Sequence, residues 1–204
     1  EMGIDWDTLH AVNPRLVMMS ISGFGQVGPE RERASYAPII HAETGILQRH
    51  AMVTGMDRPM DIALSVADTT TGMHGLIGLL AALHHAQRTG EGQFLDVAMV
   101  DGIMSICETA QTLWAYEGVT HERVGNNLSA AAPIDVYPTV DGSISLVGLT
   151  DAHWRHLTTA MGRPELSDDA RFATLAARSA NRAEVDEVVR AWCAANTRAG
   201  ILDA

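Results

Sequence analysis

Three groups of residues carry types and spacings that suggest chemistry. Asp68 opens the run Asp68-Thr-Thr-Thr-Gly72-Met-His74-Gly75-Leu-Ile-Gly78. At the start of a helix a carboxylate meets unpaired backbone N–H groups and the positive end of the dipole, and both favour its ionised form. Such a group is either a plain N-cap or a nucleophile set against close-packed, glycine-lined surroundings. The second group, Gly23-x-Gly25-x-x-Gly28, has the spacing of a dinucleotide-binding loop, and Glu43 lies about 20 residues on, where a ribose-binding acid is wanted. However, Pro29 and Glu30-Arg-Glu-Arg33 occupy the place of the first helical turn, so a structural turn is the better reading. The third group, His84-His85 and His153-x-x-His156, has no Cys or acidic partner at ligand spacing, and no metal is expected.

The surrounding pattern predicts the elements that position these residues. Asp5 to Val12 reads as a short helix stopped by Asn13-Pro14, and Leu16 to Ser22 as a buried strand leading into the glycine-rich turn. A helix is predicted over Ser35 to Leu47, a loop over Arg49 to Asp61, and the longest helix over Asp68 to Gln87, capped by Asp68 or a following Thr and ended at Thr89-Gly90. Glycines 72, 75 and 78 would form a flat stripe on it for close backbone approach. A strand over Gln93 to Ala98 and a helix over Val100 to Tyr116 follow. Gly118 to Pro133 is a polar connection suited to a domain boundary. Beyond it, Ile134 to Tyr137 and Ser143 to Val147 flank Thr139-Val-Asp141-Gly142 as a hairpin, and helices are clearest over Asp151 to Met161 and Asn181 to Ala194.

Composition bounds the partners. Of 204 residues 47% are hydrophobic and 19% charged, enough apolar content for a real core. All 14 basic residues are Arg, and against 25 acidic ones they leave a net charge of −11, which argues against nucleic acid or an anionic membrane surface. A polyanionic small ligand is still compatible with local Arg or helix N-termini. The longest apolar stretch, Gly72 to Leu83, is too short to span a bilayer. Cys107 and Cys193 form no metal or redox motif, so a reduced compartment, the cytoplasm, is expected.

Taken in order, several stretches resemble the family III CoA-transferases, the CaiB/BaiF group that includes formyl-CoA and carnitine CoA-transferases. They are Asn13-Pro-Arg-Leu-Val, Ser20-Ile-Ser-Gly-Phe-Gly-Gln-Val-Gly-Pro29, Ala67-Asp-Thr-Thr-Thr-Gly-Met-His74, Leu79-Leu-Ala-Ala-Leu83, Arg88-Thr-Gly-Glu-Gly-Gln93 with Asp96-Val-Ala-Met99, Arg123-Val-Gly-Asn126 and Tyr137-Pro-Thr-Val-Asp-Gly142. The resemblance implies an α/β fold. A Rossmann-like large domain, of which residues 1–118 would be the later part, adjoins a smaller α/β domain opened by residues 119–204, in an interlocked homodimer. It also places the 204 residues inside a longer chain, inactive as a piece by itself. The implied activity moves CoA from an acyl-CoA to a carboxylic acid, with Asp68 forming in turn an aspartyl anhydride and an aspartyl-CoA thioester. CoA is then a substrate, with no permanently bound cofactor and no metal.

Family CoA contacts fall on Ala34, Ser35, Tyr36 and Ala37, with Arg33 a candidate phosphate or adenine partner; Ala37 stands where the family often has an acid. A loop that covers the intermediate in some members corresponds to Gly125, Asn126 and Asn127, continuing to Ser129. Related α-methylacyl-CoA racemases use a His with the Asp to move an α-proton. That His would fall at Tyr36, a poor base with an ordinary pKa near 10. His41, about one helical turn further on, keeps racemisation open as the alternative. The non-enzymatic alternative is a helical dimerisation piece.

Overall fold

The computed structural model describes residues 3–118, 125–126 and 131–204. The chain divides into two compact units, Glu1–His121 and Glu122–Ala204. In the first, α1 (Trp6–Val12) is capped by Asp5, whose carboxylate accepts the Thr8 N–H at 2.9 Å. The chain then enters β1 (Val17–Ser22), which pairs in parallel with β2 (Gln93–Ala98), Val17 opposite Gln93 and Ser22 opposite Ala98. Parallel neighbours need a long crossover. Here it holds α2 (Ala37–Glu43), α3 (Ile46–Thr54) and α4 (Val66–Thr89). Helix α4 lies across β1 and β2 and packs on α5 (Met99–Met104), which leaves β2 directly; α6 (Glu108–Glu117) follows. Ala37, Ile40, Ala67, Met99 and Ile103 form the buried core of this unit.

Four sequence expectations change. The helix predicted over Ser35 to Leu47 is two helices, because Gly45 adopts φ +77° and Thr44 turns its hydroxyl back onto the Ile40 carbonyl at 2.7 Å. The loop predicted over Arg49 to Asp61 begins as α3: Ile46 to Val53 contains no Gly or Pro, and Gly55 at φ +77° is what stops it. Helix α4 starts at Val66, so Asp68 is its third residue and not its cap. The helix predicted over Val100 to Tyr116 breaks between α5 and α6, where Ser105 bonds the Gly102 carbonyl at 2.7 Å and the chain tightens into i→i+3 bonds at Ile106 and Cys107.

The second unit opens on an antiparallel hairpin, β3 (Ile134–Thr139) with β4 (Gly142–Val147). Thr139 pairs with Gly142, so the connecting loop is Val140-Asp141 alone. Helices α7 (Asp151–Ala160), α8 (Leu175–Ala180), α9 (Arg182–Ala194) and α10 (Arg198–Asp203) follow, with a short 3₁₀ turn at Pro164–Ser167. The core gathers Tyr137, Trp154, Leu166, Phe172, Val185, Val189 and Cys193. The last three of α9 stand four residues apart, the spacing of one helix face.

Candidate active site

The start of α4 determines what Asp68 can do. Ser65 takes the N-cap position but makes no side-chain cap bond. Val66 donates its N–H to the Leu64 carbonyl at 2.8 Å, and Ala67 donates to Nε2 of His41 at 3.2 Å. Two first-turn donors are therefore committed inside the protein. Asp68 comes next, with an exposed side chain that has no hydrogen-bond or ion-pair partner among the described residues. The carboxylate is thus exposed and unpartnered on the first turn of a 24-residue helix.

Close packing holds that turn in place. Thr70 and Thr71 are buried and bond the Val66 and Ala67 carbonyls at 2.7 and 2.5 Å. Gly102 of α5 meets them: a Cβ there would lie 3.0 Å from the Thr71 hydroxyl and 3.3 Å from its backbone nitrogen. Of the expected glycine stripe, Gly75 presses on Met19 and Gly78 faces Leu95, whereas nothing lies within 4 Å of a Cβ at Gly72.

His41 is 1% exposed, and its two ring nitrogens meet Asp61 Oδ1 and the Ala67 N–H, each at 3.2 Å. Both positions are engaged inside the protein, and this geometry does not suit a base that takes an α-proton from a substrate. Tyr36, just before α2, is 79% exposed. Sequence reasoning missed Asp61, because an Asp in a polar loop carries no signal of its partner.

The other predicted contacts spread over several environments. Arg33 pairs with Glu43 and lies 3.5 Å from Glu30, with its guanidinium 4.9 Å over the Phe24 ring. Glu43 is thus an ion-pair partner of Arg33, and its bond raises the Arg33 pKa further. Ala34 is exposed, Ser35 Oγ is buried without a partner, and Ala37 packs its methyl into the core. The glycine-rich turn is structural, as expected. Gly25 and Gly28 take φ +88° and +92°, Gln26 donates its N–H to Asp96 Oδ2 at 2.8 Å, and no helix follows Gly28 before α2. Gly125, at φ +61°, and exposed Asn126 belong to the second unit, and Asn127 lies outside the described residues. His153 and His156 are exposed on α7, and among the described residues no three His, Cys, Asp or Glu gather as a metal site. Among them, too, no helix is long and apolar enough to cross a membrane.

Comparison with known proteins adds to this geometry. The model of "CoA-transferase family III" matches residues 1–204. The succinyl-CoA–D-citramalate CoA-transferase of Chloroflexus aurantiacus is 40% identical over 94% of the chain and 48% of its own length. The succinyl-CoA–L-malate CoA-transferase beta subunit of the same organism is 35% identical over 98% of the chain and 50% of its own length. Among solved structures, a CaiB/BaiF family protein from Brucella suis superposes with a TM-score of 0.75 at 33% identity, covering 98% of this chain and 53% of that one. The chain spans about half the length of the curated relatives it matches.

Proposed function

The chain belongs to CoA-transferase family III, and from that premise we propose that the whole protein moves CoA from an acyl-CoA to a carboxylic acid with Asp68 as nucleophile. The observation that carries this is the exposed, unpartnered Asp68 carboxylate on the first turn of α4. An Asp68 oxygen attacks the thioester carbonyl; the C–S bond breaks, leaving a mixed anhydride and CoA thiolate. The thiolate then attacks the aspartyl carbonyl, releasing the donor acid and leaving an aspartyl-CoA thioester. The acceptor carboxylate attacks that thioester to give a second anhydride, and the returning thiolate takes the new acyl group and frees Asp68. Each step exchanges one acyl bond for another of similar energy, so a carboxylate serves where water would discard the thioester energy.

The names of the two Chloroflexus relatives favour a succinyl-CoA-like donor and a hydroxylated dicarboxylic acceptor. Arg33 to Ala37 are read as CoA contacts, with exposed Tyr36 the most accessible of them, and Gly125 to Asn127 as a loop over the intermediate. The protein is read as a cytoplasmic homodimer without a resident cofactor. In the whole protein Asp68→Ala is expected to lower turnover at least about 10³-fold with the fold intact. Hydroxylamine added during turnover should convert Asp68 to its hydroxamate, visible by peptide mass spectrometry. Unchanged turnover in Asp68→Ala overturns the assignment.

A further inference from the structure

The carboxylate is unpartnered, but the backbone beneath it is held by a side chain from another helix. We propose that His41, oriented by Asp61, is a positioning residue that takes the place of the missing cap of α4 and fixes the first turn on which Asp68 stands. The inference rests on the reading of Asp68 as nucleophile.

A backbone N–H can only donate, so His41 Nε2, 3.2 Å from the Ala67 nitrogen, presents its lone pair. The ring proton is then on Nδ1, which donates to Asp61 Oδ1 at 3.2 Å. Asp61 selects the tautomer, and the tautomer supplies the acceptor. Ala67 is 0% exposed, so no water replaces that acceptor, and Ser65 offers no cap bond. The segment that brings Asp61 to the ring is itself constrained: Ala63 takes φ +55°, a conformation a β-carbon disfavours. Ala37, Pro38, His41, Asp61, Ala63, Leu64 and Ser65 together line a cleft of about 140 Å³. The whole arrangement ends one residue short of Asp68. Displacing a nucleophile by a fraction of its contact distance costs rate and leaves substrate binding intact.

The test uses the whole protein. His41→Leu is expected to lower kcat about 10²-fold with KM for the acyl-CoA changed less than about twofold. His41→Gln, whose amide oxygen accepts the same N–H, is expected to restore kcat to within about threefold of wild type. Asp61→Ala is expected to lower kcat about tenfold, and the double variant to be no worse than His41→Leu, because both act through one bond. Nitrogen-15 NMR of the wild-type imidazole should show Nδ1 protonated and Nε2 unprotonated, whichever variants fold. The opposite tautomer, wild-type kcat in His41→Leu, or no recovery in His41→Gln overturns the proposal. If Asp68→Ala retains turnover, the nucleophile reading fails; if it is dead while His41→Leu is normal, only the positioning role fails.

Discussion

In the first unit the tightest approaches run over residues with little or no side chain, whereas the second unit closes around large ones. A Cβ at Gly92 would sit 1.7 Å from the Leu16 carbonyl oxygen, at Gly23 1.6 Å from Ser35 Oγ, and at Gly75 2.8 Å from Met19 Sδ. The core there is largely Ala37, Ala67, Ile40, Met99 and Ile103. In the second unit Trp154, 1% exposed, donates its indole N–H to the Leu166 carbonyl at 3.2 Å, meets Phe172 edge-on and lies beneath Arg178. Arg178 is 0% exposed, and its guanidinium bonds the Ala132 and Phe172 carbonyls and Asp151. The lesson is one of emphasis: the first unit is vulnerable chiefly to added atoms, whereas the second, tight against an added Cβ at Gly148, 2.9 Å from Pro133 Cδ, is vulnerable chiefly to removed ones. The Asp68 helix belongs to the first unit and meets its neighbours tightly at Gly75 and at Gly102 of α5.

The strongest way to break this contrast is Trp154→Ala, expected to cost about 3–5 kcal/mol in denaturant unfolding by opening a cavity. Arg178→Met should follow at about 3 kcal/mol, because it leaves buried carbonyls without donors. In the first unit Gly92→Ala adds only a methyl group, yet about 2–3 kcal/mol is expected, since a backbone carbonyl cannot step aside as a side chain can. A neutral result there would end the contrast. Tyr137→Phe removes the 2.7 Å bond to Asp186 and should cost about 1 kcal/mol. Burial, then that bond, pushes the Tyr137 phenol well above its ordinary range. Its contribution is therefore complete below pH about 10, where the unfolded phenol titrates, and declines as pH rises further; Tyr137→Phe should lose that decline. The smallest effect has the opposite sign. A Cβ at Gly78 would make ordinary van der Waals contact with Leu95 at 3.7 Å, so Gly78→Ala should stabilise by about 0.5–1 kcal/mol through helix propensity.

Local signals reached the sequence and distant ones did not. The first helix, the cap at Gly90, both strands of the parallel pair and the hairpin around Asp141 were legible because each rests on neighbours within a few residues. The break at Gly45 was missed because a glycine inside an apolar run is also compatible with a continuous helix. Asp68 was legible as a helix-start acid, but its exact position was not. The residue that sets the helix start, His41, lies 26 positions upstream in sequence, and no pattern in Ser65-Val-Ala announces it. Likewise the glycine fingerprint is explained by Asp96, whose carboxylate receives Gln26 from 70 residues away.

That same Gln26–Asp96 bond has a consequence in time. During synthesis at roughly 5–20 residues per second, the turn that ends β1 would emerge roughly 4–14 s before the Asp96 carboxylate that accepts its Gln26 N–H. The hairpin of the second unit closes over two residues and can form in microseconds. Helix α4 is therefore made while its sheet is still half built, and the first unit must keep β1 from other strands until β2 arrives. Folding followed by pulsed hydrogen exchange should protect β3 and β4 before β1, the reverse of their order along the chain.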